Sequence, residues 1–191
     1  IEQINLVENL IKTNTQALVV VDPVLGDHGS LFPIFDDSYV MEMKKLVSMA
    51  DLITPNITEA NLLLGLNPNQ FGYNDSDLKN ICRDLSKLGP GLVIITGFLI
   101  DGYIYNISYD AHTDTMVKFG KPYNKMSFSG TGDIFTSIVA ALITRDFDIW
   151  DTCQIATDFI FDAVKYTSSL DGIERNDGIM FEEFLGKLCQ L

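Results

Sequence analysis

Basic residues are scarce in this 191-residue chain: 13 Lys and Arg stand against 26 Asp and Glu, a net charge of −13. That balance argues against a nucleic-acid partner, which requires a basic face. It also makes an anionic substrate hard to hold unless a cation or an oriented dipole intervenes. Cysteine is equally sparse. Cys82, Cys153 and Cys189 are odd in number, lack metal-ligand spacing and fall among helix-patterned apolar residues. They exclude a disulfide framework and read as reduced core thiols of a cytoplasmic protein. His28 and His112 are isolated, so no role is assigned to either. Ser129 has no histidine in a triad-like position, which removes nucleophilic hydrolysis. No apolar run reaches membrane-spanning length, since Ile134–Ile143 is broken by Thr136 and Ser137. The opening residues carry no basic and apolar export signal, and no repeat or low-complexity tract is present.

What is present is a globular composition, 47% hydrophobic, sufficient for one domain over residues 1–191. Helical periodicity marks Ile1–Thr13, Asp37–Met49, Thr58–Leu64, Ser76–Leu88, Asp133–Thr144, Trp150–Ser168 and Met180–Leu191. Between them lie the apolar runs Ala17–Val21, Asp51–Thr54 and Leu92–Thr96, unbroken by polar alternation, as strands buried on both faces are. From Gly102 to Phe119 short aromatic and β-branched runs flank Asp110–Asp114, an antiparallel hairpin. The expected fold is α/β: a mainly parallel sheet between helices, with the hairpin toward one edge. The chain opens on Ile1 inside a helical pattern with no strand before it, so it is expected to be part of a longer protein.

Chemistry-bearing residues follow each predicted strand: Asp22-Pro23-Val24-Leu25-Gly26-Asp27-His28-Gly29, Thr54-Pro55-Asn56-Ile57-Thr58-Glu59, and Thr96-Gly97. Ligands of open parallel sheets bind outside the carboxyl ends of the strands, so the three motifs are expected to share one crevice. A fourth stretch, Phe128-Ser129-Gly130-Thr131-Gly132-Asp133, opens a helix. Its backbone N–H groups and dipole attract anions. One reading makes it an ordinary helix start, capped by Thr131. The other gives Asp133 the work of taking a proton from a hydroxyl that attacks a phosphate. Asp22, Asp27 and Glu59 are candidate oxygen ligands for Mg²⁺. Asn56 either caps its helix or reaches the metal through water, and Thr96 either ends a strand or touches a phosphate. Lys118, Lys121 and Lys125, with no acid between Asp114 and Asp133, form either a solvated loop or a basic lip to a phosphate site.

Together these motifs resemble the vitamin-kinase branch of the ribokinase-like superfamily, and within it most closely the pyridoxal kinases. The similarity extends to Asp177-Gly178-Ile179-Met180-Phe181-Glu182 near the end of the chain. The resemblance implies transfer of the ATP γ-phosphate to the 5′-hydroxymethyl of pyridoxal, pyridoxine or pyridoxamine. It implies Asp133 as base and Gly130, Thr131 and Gly132 as anion hole. Asp22, Asn56, Thr96, Gly97, Ser129 and Lys118 would meet ATP, and Glu59, Asp22 and Asp27 would organise Mg²⁺ and a monovalent cation such as K⁺. It further implies a homodimer. Hydroxymethylpyrimidine (phosphate) kinases share the pattern, though many carry cysteine where Asp133 stands. The aspartate and Gly26-Asp27-His28-Gly29 favour the pyridoxal type. Nothing in the chain matches the family's first strands, which supply the vitamin pocket. A chain that is complete as it stands would instead suit a non-catalytic nucleotide-binding module.

Overall fold

The computed structural model describes residues 1–191. The chain runs α1 (Glu2–Thr13), β1 (Val20–Val21), β2 (Gly26–Asp27), β3 (Ser30–Leu31), α2 (Asp37–Val47), β4 (Leu52–Ile53), α3 (Ile57–Leu64) and α4 (Asp75–Ser86). It continues through β5 (Leu92–Ile100), β6 (Tyr103–Asp110), β7 (Thr115–Pro122), α5 (Thr131–Ile143), α6 (Ile149–Thr167) and α7 (Leu185–Leu188). Five strands form one sheet in the order β1-β4-β5-β6-β7. β1, β4 and β5 are parallel, with Val20 opposite Leu52 and Leu52 opposite Leu92. β5–β6 and β6–β7 are antiparallel. This is the expected α/β architecture, with one difference. β5 continues past Thr96-Gly97 to Ile100, so the antiparallel part begins one strand earlier than the periodicity indicates.

Strand alternation divides the core between the two sheet faces. Val21, Ile53, Val93 and Ile95 pack against α2, α3 and α4. Leu52 and Ile94 pack against Phe135, Val139 and Leu142 of α5 and Cys153, Ala156 and Phe159 of α6. Trp150 joins this second cluster as a packing residue. The alternation also carries past the strand ends. Asp22 follows Val21 and Thr54 follows Ile53, so both turn toward α5. The Thr54 and Thr136 hydroxyls lie 2.8 Å apart, and Asp22 Oδ2 would stand 3.7 Å from a Cβ placed on Gly132.

Three local expectations are corrected. Residues 22–31 contain a small hairpin, β2–β3, turned through His28 and Gly29 at φ 51° and 80°. The helix expected over Met180–Leu191 is a 3₁₀ turn at Glu182–Phe184 leading into the four-residue α7. Of the cysteines, Cys82 and Cys153 are buried but Cys189 is exposed. No helix is long and apolar enough to cross a membrane.

Candidate active site

A cleft of about 610 Å³ opens at the carboxyl ends of the parallel strands. Asp27 and His28, Asn56–Thr58, Thr96–Gly97, Thr131–Gly132 and the α6 residues Thr157 and Phe161 all line it. Motifs far apart in sequence thus meet here, as expected of strand-end loops. Much of the remaining wall is apolar, including Phe98, Phe128, Phe135 and Ile160. Such a surface can shelter a planar ring while polar groups at one end hold charge.

The N-terminus of α5 supplies that polar end. Four helices begin with an Asp or Asn side chain accepting a first-turn N–H: Asp36 in α2, Asn56 in α3, Asn74 in α4 and Asp148 in α6. α5 does not. Its N-cap is Gly130, left-handed at φ 82°, with no side-chain cap. Thr131 is not the cap either, because its hydroxyl donates to the Phe128 carbonyl at 3.3 Å. The first-turn donors therefore lack the side-chain acceptor that α2, α3, α4 and α6 carry, and Thr131 and Gly132 border the cleft. The run is pinned from behind: Ser129 N–H donates to the Arg175 carbonyl at 3.0 Å and its hydroxyl to Asn176 Oδ1 at 3.3 Å. Ser129, like Gly130, Asp133 and Asp22, stands beside the lining residues Thr131 and Gly132 and not in the cleft wall itself.

Asp133 is exposed in the first turn of α5. Asp22 lies beside it. Burial and the Asp133 charge push the Asp22 carboxyl up to about 6, against an opposing pull from the Thr136 hydroxyl. A cation at this corner would relieve the repulsion that Asp133 exerts on Asp22.

Glu59 is held by hydrogen bonds within the fold. Its Oε1 accepts from Leu25 N–H at 3.1 Å and its Oε2 from Asn56 N–H at 2.9 Å, while Asn56 Oδ1 accepts from Glu59 N–H. This is a reciprocal capping box at the start of α3 that also fastens the β1–β2 loop. Burial pushes Glu59 up to about 8, outweighing the Asn56, Leu25 and Gly26 backbone donors that favour the carboxylate, and the Asp22 charge adds to the rise. Asp27 Oδ1 accepts from the His28 N–H at 2.7 Å, and its Oδ2 lies 3.4 Å from His28 Nε2. No group of three or more His, Cys, Asp or Glu side chains is arranged to hold a metal ion. Asp22, Asp27 and Glu59 are therefore not a three-carboxylate cage. The donor set fits Mg²⁺ carried on phosphates, which needs only one or two protein carboxylates, with Asp22 the best placed.

Lys118 is the clearest displacement. It is bound to Asp75 at the start of α4 and lies over the Tyr105 ring, outside the cleft. Lys121 lines the cleft instead, paired with Asp158 and over Phe161. Lys125 is exposed at φ 64°. Asn56 both caps α3 and donates through Nδ2 to the Gly26 carbonyl at 2.9 Å, joining two cleft loops. Asn106 and Thr157 line the cleft without having been singled out in the sequence. An asparagine inside a run of Tyr and Ile is disfavoured in strands, and that mismatch was the available signal.

The curated hydroxymethylpyrimidine/phosphomethylpyrimidine kinase of Aquifex aeolicus is 28% identical over 166 residues, covering 86% of this chain and 63% of that protein. A Bacteroides thetaiotaomicron protein, provisionally assigned as a phosphomethylpyrimidine kinase and crystallised with pyridoxal, superposes with a TM-score of 0.91. It is 35% identical, over 98% of this chain and 66% of that one. Pyridoxal kinase from Lactobacillus plantarum superposes at 0.86 with 28% identity, over 98% of this chain and 67% of that one. The chain spans between 44% and 63% of the length of eight curated relatives it matches. The sequence model of the phosphomethylpyrimidine kinase family matches residues 1–177, and the chain belongs to that family of ribokinase-like vitamin kinases.

Proposed function

We propose that the protein to which this chain belongs transfers the γ-phosphoryl group of ATP to the 5′-hydroxymethyl of pyridoxal or a close B6 vitamer. The observation that carries this reading is the uncapped N-terminus of α5, with Asp133 in its first turn and Asp22 against Gly132. The apolar part of the cleft takes the nucleotide base, and the phosphates run toward Thr96-Gly97 and the α5 N-terminus. The N–H groups of Gly130, Thr131 and Gly132 hold the transferring group, whose charge spreads over its outer oxygens. Asp133 accepts the proton of the attacking hydroxyl. Asp22 would hold Mg²⁺, which would neutralise phosphate charge and leave Asp133 free to act as base.

A second reading, phosphorylation of hydroxymethylpyrimidine or its phosphate, is supported by the Aquifex aeolicus relative. The aspartate at 133 and the Gly26-Asp27-His28-Gly29 turn favour pyridoxal. The test is incubation with Mg·ATP and each acceptor in turn, with products followed by phosphorus-31 NMR. Pyridoxal 5′-phosphate and ADP in equal amounts are expected. Product from hydroxymethylpyrimidine alone selects the second reading, and absence of nucleotide binding rejects both.

A further inference from the structure

β5 and β6 fall out of step at one point in the cleft wall. Ile95 pairs with Ile107 and Phe98 with Tyr105, so Thr96 and Gly97 together face the single residue Asn106. This is a β-bulge, and bulges re-aim side chains beside functional sites. The interrupted ladder deprives Gly97 N–H of a strand carbonyl, and Asn106 Oδ1 accepts it instead at 3.0 Å. Asn106 Nδ2 donates to Thr157 Oγ1 of α6 at 2.9 Å. The Thr157 proton is already given to the Cys153 carbonyl at 2.6 Å, so its oxygen can only accept from Asn106. That fixes the amide orientation: a flipped Asn106 would set NH₂ against N–H and oxygen against a proton-less oxygen. On the opposite side, Thr96 N–H donates to the Pro55 carbonyl at 2.9 Å, and Thr96 bridges to Asn56. Gly97, at φ 68°, is the turning point between the two anchors. Thr96, Gly97, Asn106 and Thr157 all line the cleft.

We infer that Asn106, anchored by Thr157, is a positioning residue that holds the Thr96-Gly97 bulge in the shape that binds nucleotide phosphate. The inference rests on the nucleotide-site reading above. A residue serving the fold alone would change stability and leave nucleotide affinity untouched.

The test measures binding of Mg²⁺ with a non-hydrolysable ATP analogue by calorimetry, together with hydrogen exchange of the Gly97 amide. In Asn106→Ala the Gly97 amide exchanges faster and the Kd weakens about tenfold, the scale of a lost hydrogen bond in a binding site. Thr157→Val leaves the Gly97 bond in place and removes only the anchor. It weakens binding in the same direction, and Thr157→Ser, which keeps the hydroxyl, recovers the affinity. Should Asn106→Ala fail to fold, the Thr157 pair carries the test alone. Unchanged affinity in a folded Asn106→Ala or Thr157→Val overturns the inference while leaving the kinase reading intact. A wild-type chain that binds no nucleotide removes both.

Discussion

At Glu59, burial and capping act on one carboxyl group, and the balance has a measurable pH signature. Its folded-state pKa, about 8, lies above the ordinary 4.5. Between those values the native state keeps a proton that the unfolded chain has released. The native state thus binds more protons in that window, and stability falls as pH rises through it. Asp22 contributes with the same sign between 3.8 and about 6. Urea unfolding should therefore show a declining free energy from pH 5 to pH 8, and Glu59→Gln should flatten much of the decline. An identical slope in the variant would contradict the assigned environment. The Asn56-x-x-Glu59 pattern is a capping box readable from sequence, yet an acid after a strand also suits a metal. The fold adds what the pattern does not show, the Leu25 N–H brought onto Glu59 Oε1 from 34 residues away. The lysines pose a similar problem. Lys118 and Lys121 are three residues apart on one strand, so they face opposite sides of the sheet, and choosing the cleft side requires the β6–β7 register.

Among the elements, α5 is distinguished by how it starts. Gly130 sits at φ 82° with open space where a Cβ would be, so substitution there meets backbone strain and no clash. Gly130→Ala should lower unfolding free energy by about 1 kcal/mol, with turnover reduced because the first-turn donors are re-aimed. A melting curve and steady-state rates check this, and an unaltered variant would show that the left-handed cap is dispensable. The long helices and the parallel strands were legible because hydrophobic periodicity is a local signal. The continuation of β5 was not, because Thr96-Gly97 looks like a strand end when it is a bulge whose missing partner lies nine residues past Gly97, in Asn106. The β2–β3 hairpin escaped for a related reason. Its strands are two residues each and carry no periodicity.

For the whole molecule, two apolar clusters on either face of one sheet bring four separated motifs to a single cleft. The same packing governs thiol chemistry. Burial pushes the Cys82 and Cys153 thiols up to about 12, which suppresses the reactive thiolate, whereas Cys189 is exposed. Native protein should react with one equivalent of a thiol reagent near neutral pH, and denatured protein with three. Rapid native reaction of two or more thiols would mean that the α4 or α6 face opens readily. The convergence at the strand ends also gives the central claim its test, which is turnover by Asp133→Asn. Loss of the base should reduce kcat by about 10²-fold or more, with affinity for Mg²⁺ and a non-hydrolysable ATP analogue preserved. Near-normal turnover in that variant would contradict the account.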